Sequence, residues 1–230
     1  MKKIPKYIFI ILPLIFLSLI TGIWAGWIRV GWDFPLSSSA GEHGALMVGS
    51  FLGTLICLER AFTFPKKIAL ILRFFNSLSF IFIIIKYPVI AHWILFIGSI
   101  GLVILYFLIY LKFSELYVLL MMAGAMCWVI GNGLLLQTSF YPQAVMWWIG
   151  FLFLTITGER LELSRYLNIG RSAKSIFVIL LVLFIAGILV PFHDYGGYVT
   201  AISLIGSSIW LFINDIPRRS LRSTGIPGLS

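Results

Sequence analysis

Phe51-Leu52-Gly53-Thr54-Leu55-Ile56-Cys57-Leu58-Glu59-Arg60 aligns without a gap on Phe151-Leu152-Phe153-Leu154-Thr155-Ile156-Thr157-Gly158-Glu159-Arg160, one hundred residues later. Each stretch is an apolar run closed by Glu-Arg. Two apolar runs with the same charged exit read as equivalent helices of a membrane protein built by internal duplication. The shared acid–base pair carries that reading, because identities among Leu and Ile alone arise easily by chance.

Composition agrees. Of 230 residues, 60% are hydrophobic and 11% are charged, with a mean hydropathy of +1.05. A soluble domain carries about 25% charge, so that class is excluded. At roughly 20 apolar residues per span, nothing is left for a soluble domain, and the chain 1–230 is expected to be one integral membrane domain. The net charge of +9 comes with no patch that mixes basic and exposed aromatic residues, so no nucleic-acid partner is expected. Cys57 and Cys127 both lie inside apolar runs, which argues against a disulfide framework.

The apolar runs predict an all-α, polytopic bundle of eight spans: Tyr7–Ile28, Gly44–Phe62, Ile68–Ile85, Ala91–Tyr110, Leu116–Gln137, Gln143–Leu161, Ser175–Val190 and Tyr198–Phe212. Pro35, Pro65, Pro88, Pro142, Pro191 and Gly196-Gly197 punctuate them. With the N-terminus inside, 15 basic residues fall on cytoplasmic segments, and only Arg29 and Lys86 fall outside. This asymmetry orients the chain. Both termini are then cytoplasmic, in a bacterial inner membrane, with 217–230 as a cytoplasmic tail. Lys2, Lys3 and Lys6 before an apolar stretch also resemble a signal peptide. That stretch is longer than the usual h-region of about 7–15 residues, so an uncleaved span is expected.

Span 2 matches span 6, so 1–112 and 113–216 are candidate repeat halves. Four spans per half make the repeat parallel, about an axis along the membrane normal. Glu59-Arg60 and Glu159-Arg160 then end equivalent helices at the inner boundary. Neighbours on a helix point about 100° apart, so each Glu is expected to bypass its own Arg. Glu59 with Arg160 and Arg60 with Glu159 are the expected pairs, acting as structural locks. Glu162 and Arg165 read as a surface pair.

All three histidines fall on the outer side. His43 opens span 2, His92 opens span 4, and His193 precedes span 8. Histidines gathered at one face are candidate ligands for a metal or haem iron. His43 begins a helical-spacing stripe of Met47, Ser50, Thr54 and Cys57, in which His43 and Met47 offer nitrogen and thioether to a soft metal such as Cu(I). Gly49 and Gly53 make a close-packing face in the same helix. Asn132, between Gly131 and Gly133, is a polar point inside span 5, and Asn76 is another in span 3. Trp24, Trp27, Trp32, Trp93, Trp147 and Trp148 read as an aromatic belt at the outer interface. No nucleotide-binding, zinc-protease, nucleophile-elbow, CxxC or CxxCH motif is present.

The segment Glu42-His43-Gly44-Ala45-Leu46-Met47-Val48-Gly49-Ser50-Phe51-Leu52-Gly53-Thr54-Leu55, extending to Phe62, resembles motifs of the NnrS family. These are bacterial membrane proteins of nitric-oxide stress that bind haem and copper. The resemblance implies haem or copper at His43 alone, since that family has more spans and more histidines. Gly158–Arg165 also resembles a signature of short bacterial membrane proteins.

The function expected first is a metal- or haem-binding site on the outer face. The alternatives are a small-solute transporter with a path between the two halves near Asn132, and a non-catalytic subunit of a membrane complex. The lipid bilayer is the expected partner, together with other membrane proteins or further copies of the chain.

Overall fold

A computed structural model describes residues 8–33, 35, 37–63, 67–164, 171–190 and 192–214. Among them the chain is all-helical. Helix α1 (Ile8–Arg29) leads through a 3-10 turn, Ser37–Glu42, into a π-helical run, Ala45–Gly53, which continues directly as α2 (Thr54–Thr63). Helices α3 (Lys67–Ile84), α4 (Pro88–Phe113), α5 (Leu116–Thr138), α6 (Tyr141–Ser164) and α7 (Arg171–Leu189) follow, and a π turn, Phe192–Gly196, opens α8 (Gly197–Asn214). Six of these helices, α1 and α4 to α8, are long and apolar enough to cross a membrane. The expected first residue Tyr7 and the tail 217–230 lie outside the described residues.

Two prolines expected as loop punctuation sit inside helices instead. Pro88 occupies the first turn of α4, and Pro142 is the second residue of α6. The first helical N–H groups have no intrahelical acceptor, so a residue without one fits there.

The π-helical run is the main departure from the expected geometry. Its backbone bonds run i→i+5, which breaks the single stripe expected from His43 to Cys57. Gly49 and Gly53 explain why it fits. A Cβ on Gly49 would stand 2.5 Å from Leu95 Cδ1, and one on Gly53 would stand 2.4 Å from the Trp128 ring. The wide turn therefore holds α4 and α5 against bare backbone. As a result the stripe divides between neighbours. Met47 lies on Gly22 of α1, the Ser50 hydroxyl meets that of Ser79 on α3 at 2.7 Å, and Asn76 donates to Cys57 Sγ at 3.3 Å.

The core sits between the π–α2 helix, α4, α5 and α6. Trp128 stacks on Phe151 with centroids 4.7 Å apart. Gly158 of α6 lies on Tyr117 and Met121, near the start of α5, while Gly131 of α5 lies on Trp148 and Ala144, early in α6. α5 and α6 are thus antiparallel along their lengths. α7 joins through Phe153–Phe184 (4.4 Å), and α8 joins α7 through Phe177–Trp210 (4.2 Å). Apolar side chains such as Ile71, Val182, Ile205 and Phe212 face outward, the reverse of a water-soluble surface.

Candidate functional site

Titratable side chains gather at the two ends of this core. At one end the 3-10 turn, α4 and α6 bring together Glu42, His92 and Tyr141. The His92 Nε2–H donates to Glu42 Oε2 at 2.8 Å, and the Tyr141 hydroxyl donates to the same oxygen at 2.5 Å. The hydroxyl also lies 3.3 Å from His92 Nε2. Burial pushes the Glu42 carboxyl upward, but the bonds from His92 and Tyr141 outweigh it, and its pKa lies below the ordinary value.

At the other end one guanidinium gathers three carboxylates. Arg60 Nη1 donates to Glu162 at 2.9 Å, and Nη2 lies 3.2 Å from Glu159 and 3.5 Å from Glu59. Arg60 is buried, whereas the Glu59 side chain is 54% exposed. One expectation is corrected here. Glu59 does approach its own neighbour, because the long arginine side chain folds back where a short one would not. Glu162 bonds Arg60; Arg165, its expected partner, lies outside the described residues. Arg60 meets Glu159 across the helices, Glu59 stands beside Arg60, and Arg160 is exposed.

These pairings orient the bundle. Glu42, His92 and Tyr141 stand at the starts of three helical runs. Arg60, Glu159 and Glu162 stand near the ends of two of them. The π–α2 helix and α6 therefore run parallel, with α4 starting at the same end. Both clusters also join the first four helices to the last four, through Glu42 and His92 with Tyr141 and through Arg60 with Glu159 and Glu162.

Between the ends, α6 presents Tyr141, Trp148, Thr155 and Glu162, each seven residues after the last. Seven residues return a straight helix to within about 20° of the same direction, so the four form one row. Trp148 is buried and donates to Asn132 Oδ1 at 3.0 Å, while Asn132 donates to the Leu95 carbonyl at 3.2 Å. Trp148 thus leaves the expected aromatic belt, whereas Trp27, Trp32 and Trp93 remain exposed. The seven-residue spacing was readable in the sequence, but Tyr141 and Trp148 look like interfacial aromatics until their partners are known.

His43 and His92 turn to different partners. His43 turns to α1, where its Nδ1–H donates to the Gly22 carbonyl at 2.7 Å and its ring lies on Gly26. His92 turns to Glu42. His193 falls in the π turn Phe192–Gly196, and its side chain is outside the described residues. Among the described residues, no three of His, Cys, Asp and Glu are grouped to hold a metal ion. Cys57 and Cys127 are free and buried.

DUF8744, described as a domain of unknown function, matches residues 8–229. The chain belongs to this family. No curated protein and no solved structure matches it. The DUF8744 match spans both titratable clusters and the row that joins them.

Proposed function

We propose that this protein is an eight-span integral membrane carrier of a small solute that works by alternating access between its two four-helix halves. The observation that carries the proposal is a pair of polar closures at opposite ends of one interface. Glu42 and His92 meet Tyr141 at the outer end, and Arg60 meets Glu159 and Glu162 at the inner end, each across the boundary between halves. Asn132, bonded to Leu95, crosses the same boundary about two turns in from the Glu42–His92–Tyr141 end. A dense aromatic layer of Trp128 and Phe151 lies between, so passage requires one closure to part while the other holds. The π–α2 helix and α3 supply the two spans beyond the six long apolar helices. The basic asymmetry of the sequence orients the histidine end outward.

The test needs no knowledge of the solute. In a variant lacking Cys57 and Cys127, a reporter Thr155→Cys is combined with either Glu42→Cys and Tyr141→Cys or Arg60→Cys and Glu162→Cys. In oriented vesicles the pair is bridged by an impermeant bifunctional thiol reagent long enough to span it, applied from that pair's own side and washed out. A linker is needed because these side chains meet only at their tips and a direct disulfide needs Cβ atoms within about 4.5 Å. A monofunctional impermeant thiol reagent is then added from each side. Labelling of the reporter from the inside only with the outer pair locked, and from the outside only with the inner pair locked, supports the carrier. Labelling from one unchanging side, or none in any state, overturns it.

A second reading is copper at His43 and Met47. The Nδ1–H bond to Gly22 leaves the Nε2 lone pair of His43 for a ligand, and Met47 Sδ packs on the same Gly22. An imidazole oriented by a carbonyl is the usual arrangement in metal sites, and a thioether suits Cu(I). Metal analysis and visible spectroscopy of the purified protein test it. Stoichiometric copper lost in His43→Ala supports this reading, and a metal-free wild type overturns it.

A further inference from the structure

Helix-borne hydroxyls in this protein mostly satisfy themselves. Ser18, Thr21, Ser99 and Ser203 each donate to a carbonyl three or four residues back in their own helix. Thr54, Thr155, Thr157, Thr200 and Ser207 do not. Two of these, Thr54 and Thr155, lie in the central interface with Tyr106 and Trp128. Their Oγ1 atoms, the Tyr106 hydroxyl and the Trp128 Nε1 are all buried, and they find no hydrogen-bond partner among the described residues.

These four groups come from four different helices of one interface. The Trp128 ring stacks on Phe151, one turn before Thr155, and the Cζ2–Cη2 edge of its six-membered ring lies on Gly53, next to Thr54. The Thr155 hydroxyl points at Gly124 of α5, one turn from Trp128. Tyr106 stands within electrostatic reach of Cys57 and Arg60 on α2. All four lie within about two helical turns of the Arg60 cluster, on the side facing Asn132.

We propose that Thr54, Tyr106, Trp128 and Thr155 form the solute-binding site of the carrier, and that its ligand is a small uncharged molecule rich in hydrogen-bond acceptors, of the carbonyl or amide class. This deepens the carrier reading and rests on it. All four groups can donate; the three hydroxyls can also accept, but the indole N–H can only donate, so the ligand must offer an acceptor to Trp128. An anion is disfavoured because the nearby guanidinium already holds three carboxylates, and a buried charge without its own partner is costly. A cation is disfavoured because it offers the Trp128 N–H no acceptor and would stand near the Arg60 guanidinium, which is within electrostatic reach of Tyr106. The close packing of Trp128 against Gly53 and Phe151 restricts the ligand to a few non-hydrogen atoms.

Three nearly isosteric probes separate these classes: acetamide, acetate and acetamidinium. Each is titrated into the purified wild-type protein while thermal unfolding is followed, since a ligand that binds the folded state raises the melting temperature. Acetamide should give an upward shift of a few degrees that saturates with concentration, and its charged isosteres should not. Thr155→Val, which keeps the packing shape while removing one donor, and Trp128→Phe, which removes the indole N–H with a smaller ring in its place, should each lose most of the shift. Tyr106→Phe provides the third removal if either of those fails to fold. No saturable acetamide shift in the wild type, a shift retained in all three variants, or a larger shift with acetate or acetamidinium overturns the site. The thiol-labelling experiment reads the carrier independently, so alternating labelling without an acetamide shift rejects the ligand and keeps the carrier.

Discussion

Arg60 and Glu162 lie 2.9 Å apart, although 102 residues separate them in the chain. The guanidinium is buried, and the carboxylate of Glu162 is only partly so. The bond therefore ties the end of the π–α2 helix to the end of α6 where water is scarce but present.

Removing the guanidinium should be among the most damaging single changes in the protein. Arg60→Gln leaves Glu159 and Glu162 facing each other without a cation. Breaking a buried pair costs about 3–5 kcal/mol, and the partial exposure of both carboxylates puts this case at the low end. Arg60→Lys should recover part of the loss, since it keeps the charge and loses the fork. Thermal or denaturant unfolding in detergent measures both, and wild-type stability in Arg60→Gln would refute the role.

Glu59 and Glu162 should differ, although both touch Arg60. Glu59 is more than half exposed and sits at 3.5 Å, so Glu59→Gln should cost no more than about 1 kcal/mol, as surface pairs do. Glu162→Gln should cost more. The double change Arg60→Glu with Glu162→Arg should regain part of the loss of either single change. Equal losses for Glu59→Gln and Glu162→Gln in the same unfolding assay would contradict the geometry.

These contrasts also show how far the sequence could be read. Apolar runs and breakers locate eight helices because membrane helices need continuous apolar length. The matching Glu-Arg ends of the two apolar runs bring Arg60 and Glu159 into one argument, and Arg60 does meet Glu159. The bond of Glu162 to Arg60 is not legible, because sequence spacing shows neighbours on one helix and says nothing of a second helix. The meeting of Glu42 with His92 and Tyr141 is a convergence of three helix starts, which no local pattern encodes. The π-helical run was hidden for a similar reason. Gly49 and Gly53 signal close approach, but Leu95 and Trp128, which press against them, come from elsewhere in the chain.

Glycine substitutions test that packing directly. Gly53→Ala puts a methyl group 2.4 Å from the Trp128 ring, which is held by its stack on Phe151. It should destabilise by about 1–3 kcal/mol through overpacking. Gly133→Ala meets only Phe96 at 3.3 Å, so the helix-propensity gain of up to about 1 kcal/mol should leave it neutral or stabilised. If both variants unfold alike, the close approach at Gly53 is not what the bundle depends on.

The Asn132 bridge should behave as a unit. Asn132→Ala strands the Trp148 indole, and Trp148→Phe strands the Asn132 carbonyl oxygen. Each leaves a buried polar group unpaired, at about 1–3 kcal/mol. The double variant should lose less than the sum, because neither orphan then remains. Strict additivity in a double-mutant cycle would mean that the two side chains do not interact.

The Glu42 bridge makes stability depend on acid. Its carboxyl has a lower pKa in the folded protein than its ordinary value, because bonds from His92 and Tyr141 outweigh the effect of burial. Arg29 also faces Tyr141 electrostatically from the end of α1. A group with a depressed folded pKa contributes stability that is fully present above its unfolded pKa and is lost as pH falls through the folded value. The window therefore opens near pH 4.3, an ordinary glutamate value of about that size, and extends downward. Melting temperatures measured from neutral to acidic pH should fall more steeply in the wild type than in Glu42→Gln below that point. Above it, the offset between the two should stay constant as far as Glu42 is concerned. His92→Phe and Tyr141→Phe should each flatten the acid limb by removing one donor. Parallel acid limbs for the wild type and Glu42→Gln would show that the bridge adds nothing to stability.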